Sequence, residues 1–248
     1  TPLPPEIPHA LNPLDGVIID YWLGVLPSVP ITLDIIDERG AVVRHLSSTL
    51  PAPVAEAARP PHPNFWVAPP TALPTSVGMH RTNWDLRYDA PPAFSHSFEI
   101  NANPGLTPAS PQGHLALPGT YTVRLTVGQA TMTHTVSVRN DPRSFASPSA
   151  LSAQHALQAQ ITAAMRAAWD AEQQVIALRS ALATATAGAA NADVVAAAAA
   201  LRVAIDSVVG AEPGRGAGGR RAVRPGFRGI NATMSSQLTA QDNADFAP

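Results

Sequence analysis

Residues 1–148 carry 23 of the chain's 26 prolines, and none lies between Ser149 and Glu212. Proline locks φ and removes a backbone donor, so the first stretch excludes long helices. The Ala-rich, proline-free stretch after it favours them. The contrast predicts two regimes with a boundary in residues 141–148. Charge changes there too: residues 1–141 hold 7 Arg and 11 acids, the remainder 9 Arg and 7 acids.

The first regime reads as β. Residues 17–23 (VIIDYWL) and 31–36 (ITLDII) are rich in β-branched and aromatic side chains, with Pro27 and Pro30 between them. Asp37, Glu38, Arg39 and Gly40 predict a tight turn into residues 41–47, with Gly40 available for a positive φ. Trp84, Leu86 and Tyr88 alternate with Asp85 and Arg87 as a further strand. Tyr121, Val123, Leu125 and Val127 alternate with Thr122, Arg124 and Thr126, and Gly128-Gln129 turns the chain into a matching run ending at Val138. About six or seven short strands predict an immunoglobulin- or fibronectin-like antiparallel β-sandwich over 12–141. Residues 1–11 read as an extended lead-in, and the proline-rich stretches 48–78 and 90–118 as excursions that wrap the sandwich.

The second regime reads as helix, making the chain α+β by domain. Ser147 is the expected N-cap, with Pro148 at the first helical position. Leu157, Ile161, Ala164, Ala168, Ala171, Val175, Leu178 and Leu182 form a heptad stripe. Residues 185–191 (ATAGAAN) break it, and a second stripe follows in Val194, Ala198, Leu201, Ile205 and Val208. Together they predict an antiparallel helical hairpin over 142–209. Residues 210–248 read as a Gly/Arg-rich linker and a C-terminal segment that starts a helix at 232–238 but ends too soon to complete a third one.

Composition narrows the chemistry. With no Cys, disulfides, Cys-ligated metals and thiol nucleophiles are excluded. A net charge of −2 with 14% charged residues gives no nucleic-acid-binding excess. No segment approaches the ~20 apolar residues of a membrane span. None of the eight histidines has metal-ligand spacing, Ser95 and His96 point to opposite faces of an extended segment, and there is no GxSxG elbow. Asp34 with Asp37, and Asp85 with Asp89, read as solvated strand and turn acids, and the Asn231 sequon is discounted in a chain with bacterial composition. Trp22, Trp66, Trp84 and Trp169 read as core. No catalytic, metal or cofactor residue is therefore expected. The candidates left are for interaction. Arg215, Arg220, Arg221, Arg224 and Arg228 form a cluster with no acid between Glu212 and Asp242, suited at most to a peripheral acidic or lipid surface. Met165, Trp169 and Ile176 flank the first stripe, and Trp169 is the expected anchor, either on the chain's own sandwich or on a partner.

Residues 12–23 (NPLDGVIIDYWL), 78–88 (GMHRTNWDLRY) and 117–127 (LPGTYTVRLTV), in this order, resemble the C-terminal region of bacterial secreted proteins with a sortilin-like (VPS10-type) BNR-repeat β-propeller, often labelled glycosyl hydrolases. The resemblance extends through the helical hairpin to residues 224–248. The propeller is absent from these residues, and none of the family's catalytic residues maps here. The resemblance therefore implies a non-catalytic accessory module, periplasmic or extracellular, that docks on a propeller domain or within a larger complex. A stabilising subunit on the periplasmic face of a photosynthetic or respiratory complex is the alternative, and a glycan hydrolase ranks last. Thr1 is not an initiator, so the chain is expected to be a processed or trimmed piece.

Overall fold

The computed structural model describes residues 13–50, 63–96, 104–187, 191–209 and 226–244. Six strands and three helices follow one another: β1 (Val17–Leu23), β2 (Ile31–Ile36), β3 (Val42–Ser47), β4 (Gly78–Trp84), β5 (Gly119–Val127), β6 (Ala130–Val138), α1 (Pro148–Thr186), α2 (Ala192–Val209) and α3 (Phe227–Ala244). The chain is thus α+β, with two antiparallel sheets. One is a β1–β4 ribbon; the other has the order β3-β2-β5-β6.

Both sheets contribute to one core, an arrangement that fits a β-sandwich-like fold. Ile31, Leu33 and Ile35 of β2, with Val43, Tyr121 and Val123, meet Tyr21, Leu23 and Trp84 of the ribbon. The buried aromatics keep their polar tips satisfied, as a dry core requires. Tyr21 donates to Pro74 O, Tyr121 to Leu117 O and Trp84 Nε1 to Arg87 O. Gly16 lets β1 begin against the end of β4: its φ is 82°, and a Cβ there would lie 2.0 Å from Trp84 O.

Turn chemistry follows the sequence. Asp37 Oδ1 accepts from the amides of Arg39 and Ala41, and Gly40 takes φ 82°. Val127 faces Ala130 across a two-residue loop, with Gly128 at φ 58°. The expected strand through Trp84, Leu86 and Tyr88 is displaced: β4 ends at Trp84. Asp85 Oδ1 accepts from Arg87 N, the Trp84 indole bonds Arg87 O, and Leu86 is left-handed at φ 60°. A local turn wins over the alternating pattern.

Ser147 caps α1 by accepting from Ala150 N, with Pro148 inside the first turn. The buried face of α1 is not the heptad stripe. It consists of Gln158, Ile161, Thr162, Met165, Ala168 and Glu172, so of the expected stripe only Ile161 and Ala168 are buried. Leu157 and Leu178 are exposed. The face has turned toward α3, which is the main helical neighbour of α1, whereas α2 touches α1 more sparsely, with an Arg179–Asp206 ion pair at 2.6 Å. The expectation that no third complete helix follows is overturned. Residues 227–244 form one, and Leu238 joins Ile161 and Met165 in a second small core.

Candidate functional site

The best-defined side-chain constellation is the seam where the helices meet the segment after β4. Its centre is Asn231, fully buried. Its Nδ2 donates to Pro92 O and to Met165 O, both at 3.0 Å, and its Oδ1 accepts from Phe94 N at 3.0 Å. One side chain thus ties α3, α1 and the β4–β5 connection together through directional bonds. Beside it, Phe94 stacks on Trp169 with ring centroids 4.2 Å apart, and the Arg228 guanidinium sits 5.2 Å from the Phe94 ring. Arg228 Nε also donates to Glu172 at 2.6 Å. Glu172 is buried, so this pair joins α1 to α3 from inside the seam.

The expected interaction residues are distributed accordingly. Met165 is fully buried under α3 and serves the helix core, not a partner surface. Trp169 is half-buried and is engaged by the chain's own Phe94. Ile176 is exposed, beyond the seam. Arg228 lies in the first turn of α3, not in a linker. Arg215, Arg220, Arg221 and Arg224 lie outside the described residues.

Next to the seam is a cluster that sequence spacing did not suggest. Tyr88 stacks on His114 at 4.2 Å, and His155 of α1 meets His114 edge-on at 4.8 Å. Thr162 Oγ1 lies 3.5 Å from His114 Nδ1, and His155 Nδ1 donates to Leu115 O at 3.3 Å. Burial pulls the His114 pKa down to about 4, helped by electrostatic repulsion from His155, Arg166 and Arg87 against a second protonated ring. The ring is therefore neutral at pH 7. Its Nε2 and the amide nitrogen of the buried Gln158 have no hydrogen-bond partner among the described residues. Two histidines, a tyrosine and a threonine here join the β4–β5 connection to α1. No metal-binding group of three or more His or carboxylate side chains occurs among the described residues.

Asp34 departs from the solvated reading. It is only 8% exposed and is clamped by Arg124 at 2.8 Å and His45 at 2.6 Å, across three adjacent strands. Burial raises its pKa, but bonds from Arg124 and His45 outweigh this, and the carboxyl lies below its ordinary value. Asp85 and Asp89 both face Arg44, at 3.8 and 3.9 Å. A pocket of about 120 Å³ beside them, lined by Arg44, Asp85, Arg87 and Gln112, is smaller than the ~300 Å³ that encloses a drug-sized ligand.

Exposed apolar side chains gather on the outer face of the β1–β4 ribbon. Trp22 is 64% exposed and sits directly opposite Met79, 66% exposed, so Trp22 is not a core residue. Ile18 lies exposed on the same face of β1. Val25, Leu26 and Val77, all exposed, flank the end of the ribbon where Trp22 and Met79 pair. The sequence signal was present as an aromatic at a solvent-facing register position, next to Asp20. No described helix is long and apolar enough to cross a membrane. No family model, no curated protein and no solved structure matches this chain.

Proposed function

We propose that the chain is a non-catalytic protein-interaction module of a secreted, propeller-type protein, working outside the cytoplasm and docking through the outer face of the β1–β4 ribbon. The observation that carries this reading is the facing pair Trp22 and Met79, both about two-thirds exposed, on a ribbon whose inner face is already committed to the core. Trp and Met are enriched at the buried centres of interfaces, and an exposed apolar cluster of this kind marks an interaction site. The Asp20–Arg81 ion pair at 2.7 Å, two residues along and so on the same face, supplies a polar rim.

The test is capture of a propeller-domain protein from the extracytoplasmic fraction of the source by the immobilised chain. Trp22→Asp and Met79→Ser should each abolish retention while the far-UV circular dichroism stays unchanged, because neither side chain is in the core. Retention indifferent to both substitutions, or no retention, overturns the reading. Turnover of glycan substrates by the purified chain would move the protein to the hydrolase class.

A further inference from the structure

The two edges of the four-stranded sheet are treated differently. Along β3 the outward groups are covered by the chain itself: Val43 O accepts from Asp89 N, Ser47 O accepts from Leu73 N, and His45 N donates to Asp89 Oδ1. Along β6 the outward groups have no partner among the described residues. Nor does β6 carry a proline or an Asp, Glu, Lys or Arg over its nine residues, ATMTHTVSV. Edge strands ordinarily carry such features to prevent pairing with another chain. Its residue Met132, on the same face as the core-packed Val136 and Val138, is 71% exposed.

The strand is also nearly symmetric about its middle residue, His134. Counting outward, Thr133 matches Thr135, Met132 matches Val136, and Thr131 matches Ser137. The hydrogen-bond phase agrees with that symmetry. Val127 and Ala130 close the two-residue β5–β6 loop as a hydrogen-bonded pair, so even-numbered residues of β6 bond to β5 and odd-numbered ones point their N–H and C=O to the open edge. A second β6 laid antiparallel with His134 on the two-fold axis therefore pairs odd with odd through hydrogen bonds. It also places Met132 over Val136 on the core side.

We propose that β6 is the interface with a second copy of this chain, an isologous antiparallel pairing centred on His134 that fuses two four-stranded sheets into one of eight. The full nine-residue overlap gives about eight main-chain hydrogen bonds, with like side chains opposite each other. The inference is independent of the ribbon face assigned above, which lies on the other sheet.

The full chain at about 100 µM should sediment with twice its monomer mass. Thr133→Pro should give monomer at the same concentration with unchanged circular dichroism, because the lost N–H points to the open edge and not to β5. Register is read by single cysteines in a chain that has none. On the axis, the Cα atoms of two copies of residue 134 stand ~4.5 Å apart, within disulfide reach. Copies of residue 132 are offset by roughly 13 Å, outside it. His134→Cys should form a covalent dimer on mild oxidation and Met132→Cys should not, a comparison that stands even if Thr133→Pro fails to fold. A monomeric parent chain, a folded Thr133→Pro that stays dimeric, or equal cross-linking at 132 and 134 overturns the proposal.

Discussion

Replacing Asn231 with Ala tests whether a polar staple holds the helices to the sheets. Three backbone groups lose their partner: Pro92 O, Met165 O and Phe94 N. A buried group left unpaired costs about 1–3 kcal/mol. Pro92 and Phe94 are only part-buried and regain some water, and Met165 O belongs to a helical turn. The low end of the range therefore applies, and the sum is about 3 kcal/mol. For a chain of this size that corresponds to a fall of roughly 6–12 °C in Tm. Urea unfolding followed by circular dichroism at 222 nm measures the loss, and amide exchange at Phe94 locates it. Asn231→Asp should be at least as damaging at pH 7. It keeps the acceptor for Phe94 N but turns a carboxylate oxygen toward two carbonyls. An Asn231→Ala chain within about 0.5 kcal/mol of the parent, with Phe94 exchange unchanged, refutes the reasoning.

His114 should give the fold an acid-side sensitivity. Its folded pKa of about 4 lies below its ordinary 6.5, so the unfolded chain takes up a proton that the folded chain refuses. The associated stability is fully present above pH 6.5 and is lost as pH falls toward 4, about 3 kcal/mol in all. His114→Phe, which keeps the stack on Tyr88, should flatten the urea midpoint over that window, and an undiminished slope counts against the assignment. Gly113→Ala should destabilise by about 2–4 kcal/mol, since its Cβ would stand 1.8 Å from Tyr88 O. Gly40→Ala, in open space, should cost only about 1 kcal/mol for its positive φ. Equal losses at the two glycines in thermal unfolding would show that the close approach at Gly113 does not matter.

Features that depend on neighbours in sequence were legible from the residues. β-branched and aromatic runs located β1 and β2, alternation located β5 and β6, Asp37 and Gly40 gave the β2–β3 turn, and Ser147-Pro148 gave the start of α1. Features decided by distant partners were not. The buried face of α1 carries Thr162 and Glu172 opposite polar partners, His114 for Thr162 and Arg228 for Glu172, with Gln158 buried beside them. A stripe sought by apolarity misses such a face. The helix expected at 232–238 extends in both directions as α3, whose buried positions among the described side chains are Asn231, Ser235 and Leu238, two of them polar. His114 and His155 stand 41 positions apart and meet only because the helix folds back on the β4–β5 connection. The exposure of Trp22 was hidden for another reason, since alternation gives a strand two faces but does not say which one lacks a covering layer.

The long helix has a mechanical consequence. α1 has 39 residues, roughly 58 Å, yet its buried side chains lie only between Gln158 and Glu172. The turns beyond Glu172 form a lever arm, stiffened by α2 through the Arg179–Asp206 pair, with its fulcrum near Met165. A tilt of about 5° at the fulcrum carries Thr186, ~30 Å along the axis, through about 3 Å. A load at the tip therefore arrives at the seam as torque, and the three bonds of Asn231, fixed in direction as apolar packing is not, resist it.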